Sequence, residues 1–183
     1  MPAQPTIATP RLTLVPALLA DLDELWTIWR DRDVRRYLFD DQDVTRETAT
    51  DVLNGCLEQG PAGLGLWTIR LGGMTVGCIG FMPIGVAAEH EPTLRGLVEP
   101  IVVLAPAHWG NGYADEALVA SLDYVFATLG FASVAGVNDV PNEASHRMLL
   151  RAGFVPIGEC PGPHYRLRTY RLNRDAFTRG SAR

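Results

Sequence analysis

"PAHWGNGYADEAL", residues 106–118, joins an apolar run, "GLVEPIVVL" (96–104), to the longest stripe of helical period in the chain: Ala114, Ala117, Leu118, Ser121, Leu122, Val125, Phe126 and Leu129. Strand, glycine turn and helix start in succession gather unpaired backbone N–H groups at the positive end of a helix dipole, a geometry that suits a phosphate. Gly110 and Gly112 admit positive φ and close approach, so the amides can hold an anion without a cationic side chain. That matters because the chain has no lysine; all 16 basic residues are arginine. A P-loop is excluded, since its lysine must reach the terminal phosphates. A dinucleotide fingerprint is disfavoured, because Asp115 stands where its third glycine belongs and about a hundred residues precede the motif. A two-glycine turn that holds nothing stays open on these residues alone.

The totals bound the reading. A chain of 183 residues is long enough for one domain with a real core, and we read 1–183 as a single domain with loose tails over 1–10 and 176–183. With 21 acidic residues against 16 basic there is no positive excess for nucleic acid, and the net charge of -5 tilts towards cationic partners. Cys56, Cys78 and Cys160 are far apart and in no CxxC pair, which argues against a disulfide framework or zinc knuckle and fits a reducing cytoplasm. The opening "MPAQPTIATPRL" has no signal-peptide pattern, and no apolar run approaches the ~20 residues of a spanning helix, so neither export nor a membrane is expected.

Along the chain, "RLTLV" (11–15) alternates as a strand does, and Leu18, Leu22, Leu25, Trp26 and Trp29 recur at helical spacing. Ala49, Val52, Leu53, Cys56 and Leu57 make a second stripe, ended by "EQGPAGLG". "LWTIR" (66–70) and "TVGCIGF" (75–81) flank Gly72 and Gly73, the chemistry of a hairpin. Residues 83–95 have no period and read as a loop. Pro100 requires the strand at 96–104 to be interrupted, bulged or edge-exposed. "FASVAGV" (131–137) is another strand, Asn142 caps a short helix closed by Gly153, and "FVPIGE" and "YRLRTYRL" are the last extended runs. The sum is a mixed α/β sheet with helices on its faces.

The glycine loop does not stand alone. "VEPIVVLAPAHWGNGYADEAL" (98–118), a strand, then "PNEASHRMLLRAGF" (141–154) resembles the coenzyme A half of the GCN5-related N-acetyltransferases (GNAT), especially their RimJ/RimL-like branch. The family pattern Q/R-x-x-G-x-G/A falls on Trp109, Gly110, Asn111, Gly112, Tyr113 and Ala114, with Trp109 departing at the first position. N-x-x-S-x-x-x-L-x-x-x-G-F falls on Asn142, Ser145, Leu149, Gly153 and Phe154. "TPRLTLVPALLADLDELWTIWRDRDVRRYL" (9–38) and "LWTIRLGGMTVGCIGF" (66–81) extend the resemblance over nearly the whole chain.

The resemblance implies a mostly antiparallel sheet splayed between two adjacent strands, around 98–104 and 131–137. It places the acetyl-CoA pyrophosphate on the loop, and the pantetheine arm against backbone at Val102, Val103 and Leu104, with an oxyanion-type contact from Val103 or Leu104. Asn142 has a double reading, a CoA contact by the resemblance and an N-cap by its position, and the two are compatible although the side chain cannot fully serve both at once. The reaction implied is direct attack of an amine on the thioester. Glu99 is the first choice of base, with a solvated strand-edge carboxylate as the alternative. The tyrosine that many members use as acid is replaced by Leu149, so Ser145 takes that role, or else only satisfies a helix-start amide. His108 reads as packing, His146 and Asp139 as distant candidates, His164 as a border of the acceptor pocket, and Cys160 as structural.

Trp26 and Trp29 read as core, with Tyr37 and Phe39 as an aromatic edge. The acceptor is an amine, either a protein N-terminus, as the branch name suggests, or a small amine such as a polyamine or aminoglycoside, to which the acidic balance tilts, with residues 83–95 helping to choose. Arg166 and Arg168 stand where relatives often carry an acid. Monomer and homodimer are both open. A domain that binds acyl-CoA as a sensor with little catalysis is the alternative, supported by Leu149.

Overall fold

The computed structural model describes residues 3–178, the side chain of Pro61 excepted. Strands β1 (Ile7–Ala8), β2 (Thr13–Pro16), β3 (Gly65–Leu71), β4 (Met74–Pro83) and β5 (Val98–Leu104) lie side by side in that order, each pair antiparallel. β3 and β4 are joined by Gly72 and Gly73 alone, at φ 59° and 88°, with Leu71 opposite Met74: the tight hairpin that two left-handed residues build. A second antiparallel sheet holds β6 (Ser133–Asp139), β7 (Val155–Cys160) and β8 (Leu167–Asn173) in the order β6-β8-β7.

Among the described residues six helices cover the sheets: α1 (Leu22–Trp29), α2 (Arg32–Leu38), α3 (Arg46–Leu57), α4 (Ala87–His90), α5 (Tyr113–Ala127) and α6 (Glu143–Arg151). The apolar stripe of α5 does what its period predicts. Ala117, Leu118, Leu122 and Val125 are fully buried in one core with Leu14, Trp67 and Phe81. On the other face Leu25, Trp29 and Leu53 from α1 and α3 pack on Leu66, Cys78 and Val103.

Between β5 and β6 the sheet opens, and no ladder joins them among the described residues. The register shows how. Ala105 donates to the carbonyl of Val76 at 2.9 Å and Ile84 to that of Leu97 at 3.1 Å, so odd-numbered residues of this strand turn their backbone to β4 and even-numbered ones turn it to the opening. Pro100 therefore occupies an opening-facing position, where it cannot donate to β6, and its register with Phe81 is unbroken. It is edge-exposed, one of the three outcomes its sequence allowed.

Three expectations change. Of the segment 1–10 read as a loose tail, residues 1 and 2 lie outside the described residues and the part from Gln4 to Ala8 is held: Gln4 donates to the carbonyl of Leu66 at 2.9 Å, the Trp67 indole donates to that of Pro5 at 2.7 Å, and Ile7 pairs with Leu14. At the other end a short 3-10 turn covers Arg174–Ala176 and Phe177 packs on Phe126 at 5.3 Å, so these residues are not loose; 179–183 lie outside the described residues. The region 83–95 is not an irregular loop, for it contains α4 and a 3-10 turn at Pro92–Leu94 whose Ala87 and Leu94 are buried. α2 was not foreseen; Asp31 caps it by accepting from Asp33 N at 2.9 Å.

Candidate active site

A cleft of about 910 Å³ occupies the opening. β5 and the glycine loop line it on one side, the end of β6 and the start of α6 on the other, and α2 lies across it.

The loop is built as its glycines suggest. Gly110 and Gly112 have φ of 75° and 76°, and Gly112 is the N-cap of α5 with no side-chain cap. A Cβ on Gly110 would meet nothing within 4 Å, and one on Gly112 only Arg11 Nη2 at 3.5 Å, so a concave space lies open before the first amides of α5. Two carboxylates in that first turn would oppose an anion, yet both are neutralised. Asp115 takes a bidentate pair from Arg151 at 2.8 and 2.9 Å, and Glu116 accepts from Arg11 Nε at 2.6 Å, from Arg11 N and from Thr9. Arg11 Nη1 also donates to the Asn111 carbonyl at 2.9 Å. Arg11, Glu116 and Arg151 are loop supports that the sequence reading missed, because they become neighbours only in the folded chain.

Trp109 sends its indole N–H to the carbonyl of Leu104 at 2.8 Å, tying the loop to the end of β5. Asn111 does not line the cleft; its amide nitrogen donates to the carbonyls of His108 and Trp109 and shapes the turn. Gly110, Gly112, Tyr113 and Ala114 do line it. Of the three β5 residues, Val103 turns its N–H to Cys78 in the β4 ladder, so the amides that face the opening are those of Val102 and Leu104. Of Val103 and Leu104, the two residues expected to supply the oxyanion-type contact, only Leu104 has its amide on that side.

Asn142 Oδ1 accepts from Ser145 N at 3.1 Å, so the cap is real and the NH₂ of its side chain is left for another partner. Ser145 lines the cleft three residues on, while Leu149 is 2% exposed and has no proton to give.

Strand parity also sets the face from which Glu99 and Asp139 project. Leu97, Ile101 and Val103 pack away from α5, as do Ala135 and Val137 of β6, so Glu99 and Asp139 project to that same face on either side of the opening. Burial pushes the Glu99 carboxyl up to about 7, against a hydrogen bond from the backbone of Gly85. Asp139, a distant candidate in sequence, lines the same cleft; burial and then the charge of Asp40 raise it to about 6, with His164 opposing.

His108 lies on the cleft wall beside Tyr113, 6.5 Å between rings. His146 is engaged through Nδ1 with the Tyr170 hydroxyl at 2.7 Å, and His164 packs edge-on against Tyr165 at 4.3 Å. All three cysteines are free and buried, and burial raises the Cys160 thiol, as suits a structural role. Trp29 is core, Phe39 packs on it, and Tyr37 reaches the cleft. Arg168 pairs with Glu143 at 2.8 Å and Arg166 with Glu159 at 3.3 Å, on the far strand.

A family model described as the acetyltransferase (GNAT) domain matches residues 11–155, from the arginine that supports the loop to the first residue of β7. The chain belongs to the GNAT acetyltransferases. It is 29% identical over 158 residues to the uncharacterized N-acetyltransferase YoaA of Bacillus subtilis, covering 84% of this chain and 85% of that one. It is 28% identical to the FsC-acetyl coenzyme A-N(2)-transacetylase of Aspergillus fumigatus, covering 85% of this chain and 67% of that one. Among solved structures, the acetyltransferase of Agrobacterium tumefaciens superposes with a TM-score of 0.78 at 25% identity over 94% of this chain and 96% of that one. As a GNAT enzyme the chain uses acetyl-CoA, and the open glycine cradle with its paired acids fits that donor's diphosphate.

Proposed function

We propose that this enzyme acetylates a primary amine, of a small molecule or a protein N-terminus, within a ternary complex, the donor lying on the α5 side of the opening and the acceptor on the side of α2. One observation carries this reading. Glu99, half-buried with its carboxyl raised to about 7, faces the same cleft as the Gly110–Gly112 cradle but projects from the opposite face of β5 to the helix that cradle starts.

Acetyl-CoA, when bound, supplies a thioester carbonyl as electrophile. The Gly112–Ala114 backbone holds the anionic end at the α5 N-terminus without a cationic side chain. The Val102 and Leu104 N–H groups, turned to the opening, are donors for the extended arm and for a carbonyl oxygen. Glu99 takes the amine's proton on its carboxylate, which is ionised in part at neutral pH, as a general base requires. Ser145, placed by the Asn142 cap, is the hydroxyl donor on the opposite wall.

The test is thiol release from acetyl-CoA over a panel of amines, with coenzyme A affinity measured beside it. Turnover with any amine supports the reading; tight binding with none across the panel overturns it.

A further inference from the structure

Asp139 is a carboxylate that the reaction above does not use. It ends β6, is 7% exposed and borders the cleft. Its backbone is pinned, its carbonyl accepting from Asn138 Nδ2 and Asn142 N at 2.8 Å each. Among the described residues, however, its carboxylate enters no hydrogen bond and no ion pair. Burying an unpaired carboxylate is costly unless a cation meets it. Its charged surroundings supply little relief. Asp40, held in the left-handed region at φ 52°, adds negative charge, and His164 acts from beyond pairing distance. Arg36, which also borders the cleft, is engaged elsewhere, with its guanidinium 5.2 Å from the Tyr37 ring and Tyr165 acting on it as well.

Glu99 and Asp139 thus stand on one face of the sheet, on the two strands that part. The amine beside Glu99 must lose its proton to react. Asp139, across the opening, is left for a group that keeps its charge. Tyr37 and Leu38 of α2 wall the space on this side and suit a methylene linker. We propose that Asp139 reads a second positive charge on the acceptor: the preferred substrate is a dicationic amine, one amino group presented to Glu99 and the other, still an ammonium, paired with Asp139. This rests on the amine-acetylating reading and adds to it a substrate class and the residue that selects it.

The experiment compares diamines from 1,3-diaminopropane to 1,6-diaminohexane with 1-aminobutane, in wild type, Asp139→Asn and Asp139→Glu, circular dichroism confirming the fold. Wild type is expected to favour its best diamine over 1-aminobutane by about tenfold or more in kcat/KM, the Asn variant to lose most of that ratio, and the Glu variant to keep it with a shorter preferred diamine. A wild type without the preference, a ratio unchanged in Asp139→Asn, or an unchanged preferred length in Asp139→Glu would overturn the proposal. Thermal melts with each diamine and no acyl donor give a second readout: stabilisation is expected in wild type and lost in Asp139→Asn, and equal shifts in both count against Asp139. If no amine releases thiol, the acetylation reading fails, and the melts still decide whether Asp139 holds a dication.

Discussion

Arg11 and Glu116, 105 positions apart, meet through Nε and Oε2 at 2.6 Å, and the same guanidinium reaches the carbonyl of Asn111 at 2.9 Å. The segment entering β2 thereby clamps the first turn of α5 and the glycine loop together. The cradle is stiffened by residues that need not touch the donor. It also keeps a carboxylate at a helix N-terminus from competing with the diphosphate proposed to bind there.

Replacing Glu116 by alanine should therefore loosen the loop and destabilise the fold together. Its carboxylate accepts from Thr9, Arg11 N and Arg11 Nε, so the loss should be about 1–3 kcal/mol in chemical denaturation. Coenzyme A affinity should fall several-fold by calorimetry. Burial works against this carboxylate, but hydrogen bonds from Thr9 and Arg11 outweigh it and hold the group below its ordinary range. With a folded pKa depressed, the stability it contributes is present above the unfolded value and disappears as pH falls through the folded one. The variant should lack that part of the acid sensitivity; an identical acid limb would show that the clamp contributes nothing.

Gly112→Val attacks the cradle itself. A branched side chain at φ 76° is strained, by about 1–2 kcal/mol, and its Cβ would stand in the space before the first α5 amides. Coenzyme A binding should be lost from calorimetry while the circular dichroism spectrum is retained. Unchanged affinity would remove the diphosphate from this loop.

Ser145 and Asn142 separate chemistry from scaffolding. Ser145→Ala should lower kcat by about tenfold to a hundredfold and leave coenzyme A affinity nearly unchanged, the pattern of a lost proton donor. Asn142→Ala removes the cap accepting from Ser145 N and should cost about 1 kcal/mol of stability as well as rate. A Ser145→Ala rate equal to wild type at every pH would transfer the acid role elsewhere.

Local signals were legible in the sequence and long-range ones were not. The Gly72–Gly73 hairpin, the strand-loop-helix around Gly110 and the Asn142 cap each depend on chemistry within a few residues, and each is found where its residues imply. α2 escaped because "RDVRRYL" offers only Val34, Tyr37 and Leu38 as apolar positions, although Asp31 before Asp33 was an available capping signal. Phe177 and Pro5 looked loose because their partners, Phe126 and Trp67, are distant in the chain. Asp139 looked remote for the same reason. Which face its strand turns to the cleft follows from pairing with β8, which no local pattern encodes.

Glu99 ties activity to stability through one titration. Its folded pKa, about 7, lies above the ordinary carboxylate value because burial disfavours the charge. As a base it must be ionised, so the rate should rise with pH through about 7, and Glu99→Gln should flatten that rise and lower kcat by about a hundredfold or more. Stability runs the other way. With the folded pKa raised, the favourable contribution is complete below the unfolded value near 4.5 and is lost as pH climbs through about 7. Above pH 8 the wild type carries a half-buried charge that the glutamine variant does not, so Glu99→Gln should be the more stable protein there, by about 1–3 kcal/mol, and nearly equal to wild type at pH 4. Paired melts at the two pH values with a rate profile check both halves. A variant slower but no more stable at high pH would place the raised carboxylate elsewhere, with Asp139 next to be tried.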